Sequence, residues 1–313
     1  MGRKGIYYLM IILLGVSSLE AAFKEGNNWN ARATGMGGAF TAIADDASAP
    51  VYNPAGMAQI DRVQAIFNFS KPYLGVEEVD FNYAYLSLTF PMEDVGHIGI
   101  GWNNFNATSI YEEYSFLLSY STSMDRVFSP KFKYLYTGLN IKYLYHGFQL
   151  DQRTIDDPVF SGGKGKGNIG VDIGFLAKRL FKGLPHLDLA LAVNNINEPD
   201  IGLGQNDPIY REFKFGLSYL LPGSVKTKND YIFSMDTCYR NEELNIKGGV
   251  EGYFFNRFLI ARLGANFNEM TAGLGINYSL KNKVLFQFNY AFLYPMGIRG
   301  SYGTHQMSVN IRI

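Results

Sequence analysis

Only one cysteine, Cys238, occurs in the 313 residues, so an intrachain disulfide is excluded and the thiol reads as structural. Net charge is also missing. The 28 basic side chains balance 28 acidic ones, whereas a nucleic-acid partner normally leaves a basic surplus. Charged residues amount to 18%, against about 25% in typical soluble proteins. The four histidines, at 97, 146, 186 and 305, stand on separate segments without metal-ligand spacing, so no metal site is expected. The run "SGGKGKGN" looks phosphate-binding at first sight. It fails the pattern because Asn168 follows Gly167 where Lys-Ser/Thr is needed, and it joins two strands instead of opening a helix. It reads as a flexible outside loop. A Gly-x-Ser-x-Gly elbow is likewise missing, so no enzyme activity and no cofactor are expected. No Pro/Ser-rich linker divides the chain after residue 63.

Long apolar runs are missing everywhere except at the N-terminus. There, Arg3 and Lys4 precede an apolar core from Ile6 to Val16 and a small-residue end at Ala21-Ala22. That core is shorter than the roughly 20 residues of a membrane-spanning helix, so residues 1–22 are expected to be a signal peptide cut after Ala21 or Ala22.

What the chain does have is aromatic side chains, 15% of the total, arranged in period two. In "VLFQFNYAF", Val284, Phe286, Phe288, Tyr290 and Phe292 share one face, while Leu285, Gln287, Asn289 and Ala291 share the other. The same division runs through "LNIKGGVEGY" and "HLDLALAVNN". Fourteen such segments are predicted, near 64–70, 80–90, 96–106, 112–122, 133–149, 167–180, 186–195, 211–221, 229–239, 244–254, 257–267, 270–280, 283–294 and 304–313. An even count of roughly ten-residue strands suits an all-β transmembrane antiparallel barrel of the bacterial outer membrane. A secreted β-sandwich would also alternate, but with polar exposed faces. Here Phe and Tyr fill one face of strand after strand, and Gly, Ser, Asn and charges fill the other, as lipid outside and water inside demand. With both termini periplasmic, the two longest connections, "LDQRTIDDPVFSGGKGKG" and "INEPDIGLGQNDPIY", face outward.

On that reading Lys142, His146, Asp172, Asp188, Lys214, Asp236, Arg240, Lys247, Glu251, Arg262 and Arg312 line the lumen, either as a structural ion-pair network or as determinants of ion preference. Gly273, Gly275 and Ser279 leave room beside strand twelve for inserted backbone. Residues 23–62 are expected to be that insert. They are rich in Gly and Ala, are stiffened by Pro50 and Pro54, and carry Asp45, Asp46 and Asn53 to cap turns or pair with wall cations. Residues 63–313 form the barrel.

The run "NARATGMGGAFTAIADDASAPVYNPAGMA", the strand series and the closing "GTHQMSVNIRI" resemble the FadL-type outer-membrane transporter superfamily, including the PorV/PorQ-like proteins. The resemblance implies a fourteen-stranded barrel with a hatch whose hallmark Asn-Pro-Ala is carried by Asn53, Pro54 and Ala55. It also implies passage of long-chain fatty acids or other hydrophobic small molecules, with outer-membrane lipid as surroundings. A third-strand kink opening a lateral route is implied as well, and Gly96, Gly99 and Gly101 would tolerate one. The short chain and its ending at Ile313 resemble PorV/PorQ-like proteins, some of which hold exported proteins for type IX secretion or surface attachment. A diffusion porin without a dedicated ligand is the third reading.

Overall fold

Alternating sequences have one way to satisfy every backbone amide without leaving an edge, which is to close the sheet on itself. This chain does so. The computed structural model describes residues 23, 29–77, 80–152, 154, 157–224, 229–281, 283–298 and 300–313, so the expected signal peptide and its cleavage site lie outside the described residues. The strands are β1 (Gln64–Lys71), β2 (Phe81–Met92), β3 (Gly96–Ala107), β4 (Tyr111–Ser123), β5 (Leu135–Phe148), β6 (Gly165–Lys178) and β7 (Leu187–Asn194). They continue as β8 (Glu212–Leu221), β9 (Tyr231–Arg240), β10 (Glu243–Phe254), β11 (Leu259–Ala265), β12 (Glu269–Leu280), β13 (Val284–Pro295) and β14 (Thr304–Arg312). Each pairs antiparallel with its chain neighbours, and β1 closes on β14 in the register Gln64↔Arg312 to Lys71↔His305.

The fourteen predicted strands are the fourteen observed, with ends shifted by a few residues for local reasons. Strand β11 starts at Leu259 and not near 257 because Phe255, Asn256 and Arg257 all take positive φ in a tight turn. The expected loop "SGGKGKGN" needs correction: Gly165–Asn168 belongs to β6 and pairs with β5. The cause is aromatic cover. A Cβ added to Gly165 or Gly167 would lie 2.4 or 2.2 Å from the Tyr145 or Tyr143 hydroxyl, so the rings on β5 lie over the bare backbone and compensate for the missing side chains.

Side chains divide as the alternation demands. On β13, Gln287, Asn289 and Ala291 are buried, and Phe288 and Tyr294 are about half exposed on the outside. Phe67 on β1, Phe116 on β4, Tyr143 on β5 and Phe213 on β8 point outward in the same way. An apolar belt on this scale is the surface of a barrel that meets lipid, not water. The described residues hold no helix long and apolar enough to cross a membrane.

The two ends of the barrel differ. One, the termini end, carries the start of β1, the end of β14 and the short turns 93–95, 255–258 and 281–283. It also carries 124–134, which holds α3 (Met124–Val127). The other, the loop end, carries the long connections 149–164 and 195–211.

Candidate functional site

Residues 29–60 fill the lumen. Their few turns of helix, α1 (Ala31–Thr34), α2 (Ala49–Tyr52) and a 3-10 turn (Pro54–Gln59), are too short to hold themselves together. The wall holds them instead. Asn30 lies near Ser308 of β14, and the Ala31 amide donates to Asn68 of β1 at 3.1 Å. The Gly37 amide donates to Thr271 of β12, and its carbonyl accepts from Asn266 after β11. The amides of Phe40 and Thr41 both donate to one Asp236 oxygen on β9, at 2.8 and 2.9 Å. Asn53 Nδ2 donates to the Phe175 carbonyl of β6, Asn140 of β5 donates to the Pro50 carbonyl at 2.7 Å, and His97 of β3 meets the Ile60 carbonyl at 2.8 Å. Followed along the chain, the segment passes from β14 and β1 to β12 and β9, returns so that Ala47 packs against Ile66 of β1 and Tyr85 of β2, and then reaches β5, β6 and β3.

Missing side chains on the wall make the fit possible. A Cβ built on Gly249 of β10 or Gly264 of β11 would lie 2.4 or 2.2 Å from the Met36 backbone. One on Gly138 of β5 would lie 2.3 Å from Pro54. One on Gly273 of β12 would lie 3.1 Å from the Gly35 Cα. Since backbone cannot move aside as a flexible side chain can, these glycines are seats.

Arg32 is the electrostatic centre of the segment. Its Nε and Nη2 donate to both oxygens of Glu251 on β10, at 2.9 and 2.8 Å, and its Nη1 reaches Asp45 at 2.5 Å. Glu251 also accepts from Arg262 Nε at 2.6 Å and from the Tyr253 hydroxyl at 2.5 Å. Arg32, Glu251 and Arg262 are all essentially buried. Of the two roles expected of Asp45 and Asp46, capping holds for Asp46, whose Oδ1 accepts from the Ser48 amide at 2.9 Å, and pairing with wall cations is corrected: both carboxylates face Arg32 of their own segment, which pairs in turn with a wall anion. Local sequence hides this because the partners are 219 residues apart.

At the loop end, a cavity of about 680 Å³ opens between the wall and the long connections, lined by Tyr111, His146, Phe148, Phe160 and Leu203. The connection 195–211 dips into the mouth, where Ile201 and Ile209 are buried against Leu144. Its turn is organised by Asp200, which accepts from the Gly202 and Asp207 amides at 3.1 and 2.7 Å and from Lys166 Nζ at 2.6 Å. The Lys166 ammonium and then the Asp207 amide hold the Asp200 carboxyl at about 2, below its ordinary value.

From this cavity, aromatic rings lead inward one after another. Phe160 meets Phe148 at 5.5 Å between centroids, Phe148 meets Tyr111 at 5.0 Å, and Tyr111 meets Phe105 at 6.3 Å. Phe105 stacks on Tyr83 at 4.4 Å, and Tyr83 meets Trp29 of the inner segment edge-on at 5.5 Å. Farther in, a separate space of about 30 Å³ lies among Phe23, Trp29, Glu113 and Leu144. Phe23 is anchored there by its amide to Glu113 at 2.9 Å and by its carbonyl to Arg240 at 3.1 Å. Toward the termini end, a second cavity of about 440 Å³ lies beneath Arg32 and Asp45, lined by Arg257, Gln287 and Arg312. The segment separates the two.

The eleven charged residues expected in the lumen all sit on inward strand positions, but they do not form one site. Lys142 pairs with Asp172 at 3.0 Å, Asp188 with Lys178 at 3.4 Å and Lys214 with Glu212 at 3.2 Å. Lys247 lines a small space with Asp236, and His146 Nε2 meets the Ile201 carbonyl at 2.7 Å. Asn53 is extended, with φ −157° and ψ 107°. Its Oδ1 accepts from the Ala55 amide at 3.1 Å, and its Nδ2 donates to the Thr41 and Phe175 carbonyls. The expected third-strand kink at Gly96, Gly99 and Gly101 is corrected: β3 pairs without interruption to β2 and to β4. Gly99 instead faces Met57 of the inner segment, where an added Cβ would lie 2.7 Å from its sulfur. Sequence reasoning passed over Arg32, Glu113 and Trp29. A lone arginine in a run of small uncharged residues was the available signal for Arg32, and strand parity was the signal for Glu113.

The sequence matches no protein-family model and no curated protein. Solved structures do match. The toluene transporter TbuX of Ralstonia pickettii aligns with a TM-score of 0.60 at 10% identity, over 92% of this chain and 98% of that one. The chain shares the fold of that structure. The toluene transporter TodX of Pseudomonas putida aligns at 0.52 and 11% identity over 91% and 96% of the two chains. A FadL homologue of Pseudomonas aeruginosa aligns at 0.52 and 12% identity over 90% and 97%.

Proposed function

We propose that the protein is an outer-membrane channel for hydrophobic small molecules, with its termini end in the periplasm, its loop end outside and residues 29–60 as its hatch. The carrying observation is the line of aromatic rings from the open cavity to Trp29. A compound leaving water for that cavity exchanges hydration for ring contacts at each step, and the cavity's volume falls within the roughly 300–1,000 Å³ of small-molecule sites. Asn53-Pro54-Ala55 is read as the hatch's fixed corner, held to β6 and followed by the turn seated on Gly138. Long-chain fatty acids belong to the proposed class, as do ring compounds, which the aromatic lining favours. The fold shared with toluene transporters supports the same reading.

Uptake of labelled toluene and of oleate into proteoliposomes tests it. The Phe148→Ser and Tyr111→Ser variants should slow entry by about tenfold each, since each loses a ring contact and its apolar area. Unchanged uptake in both variants would remove the path. A purified protein free of apolar ligands but in stable complex with an exported protein would replace the channel reading with a secretion one.

A further inference from the structure

The charge of the two rims differs in sign. Among the described residues, cations outnumber acids in the connections at the termini end, whereas in the connections at the loop end Lys164 and Arg211 are the only cations among many acids. The basic excess gathers in two adjacent connections, 124–134 and 179–186. They adjoin because β5 and β6 pair from Leu135↔Ala177 onward and the Lys178 amide donates to the Tyr134 carbonyl at 2.8 Å. Tyr134 stands exposed between two cations, with Lys133 Nζ 5.1 Å and the Arg179 guanidinium carbon 5.6 Å from its ring centre. Arg179 and then Lys133 hold its phenol below the ordinary tyrosine value, so both cations are aimed at one point. Around them is an apolar collar. Phe128 and Phe132 touch at 6.5 Å, and with Leu180, Phe181 and Leu184 they are exposed by 41% to 68%.

Cations beside exposed aromatics at the end of an apolar wall have the chemistry of a lipid interface, where the rings sit at headgroup level and long basic side chains reach phosphate. We propose that this patch binds an anionic phospholipid. Its phosphate lies between Lys133 and Arg179 beside the Tyr134 hydroxyl, and its acyl chains lie against Phe132, Phe181 and the outward face of β5 and β6. Charge complementarity commits the occupant to the leaflet at the termini end, since the acidic rim opposite would repel the same headgroup. The inference rests on the reading that the barrel's exterior lies in a bilayer.

Native mass spectrometry of the full chain, released from micelles holding equal phosphatidylglycerol and phosphatidylcholine of the same acyl chains, tests it. The wild type should retain phosphatidylglycerol preferentially. Lys133→Gln with Arg179→Gln should weaken that retention roughly 30-fold, because each basic residue near a membrane surface contributes a comparable attraction. Lys164→Gln, at the opposite rim, should change nothing. Equal retention of both lipids by the wild type, or unchanged retention in the double variant, overturns the proposal, as does tighter retention of lipid A at the same residues. Urea extraction of the wild type from membranes would instead overturn the bilayer reading. Unaltered heat-dependent gel mobility of the double variant excludes misfolding as the cause of a loss.

Discussion

Replacing Glu251 with Gln should loosen the inner segment while leaving the barrel closed. Glu251 accepts two hydrogen bonds from Arg32 at 2.9 and 2.8 Å, one from Arg262 at 2.6 Å and one from Tyr253 at 2.5 Å. The amide keeps one acceptor, turns a donor toward guanidinium groups that can only donate, and removes the sole ion-pair partner that Arg262 has among the described residues. Breaking a buried pair in this way costs about 3–5 kcal/mol. At about 1.4 kcal/mol per tenfold, the ratio of docked to released segment should fall by roughly two to three and a half orders of magnitude. The strand ladder does not pass through these side chains and should hold. Hydrogen exchange reads both parts at once. The amides of Phe40 and Thr41, bound to Asp236, should exchange far faster, while those of β10 stay protected. Planar-bilayer conductance should rise in parallel. Slow exchange at Phe40 with wild-type conductance in Glu251→Gln would refute the docking role, and equal loss of protection in β10 would show that Glu251 supports the wall instead.

Two further outcomes follow from the same geometry. Gly264→Ala places a methyl 2.2 Å from the Met36 carbonyl carbon and should displace the segment at a cost of about 1–3 kcal/mol or more, whereas Gly183→Ala, with nothing within 4 Å, should leave conductance unchanged. Asp200 titrates at about 2 in the folded loop, below its ordinary value, so its contribution to loop order is complete above pH 4 and is lost as pH falls through 2; protection of the Gly202 and Asp207 amides relative to their intrinsic exchange should fall across that window, and unchanged protection would show that Asp200 does not hold the turn.

The wall was legible because lipid enforces a rule on every strand. Val284 to Phe292 alternates so cleanly that its inward and outward residues could be assigned by parity, and β10 and β7 repeat the pattern. The inner segment obeys no period. Its composition signalled close packing, but its path depends on Gly138, Gly249 and Gly264, residues that in isolation read only as gaps in strands. The Arg32–Glu251 pair joins positions far apart in the chain, so neither residue carries a local sign of the other. The run from Gly165 to Asn168 misled for a related reason: glycine in quantity suggests a loop until the facing Tyr143 and Tyr145 are known. The glycines of β3 would tolerate a kink, but the partner of Gly99 is Met57, which no local pattern announces.

The spread of the seats that hold residues 29–60 has a consequence for assembly. Contacts on β14, β1, β12, β9, β5, β6 and β3 belong to strands that are far apart in the chain, so the segment has its full set of partners only when the ring is closed. A ring with one hairpin fewer or more would change the spacing between Gly138 and Gly264, which receive Pro54 and Met36. Open sheets of any width can pair their strands equally well, since a ladder has no means of counting. The inner segment distinguishes the closed ring from every open sheet.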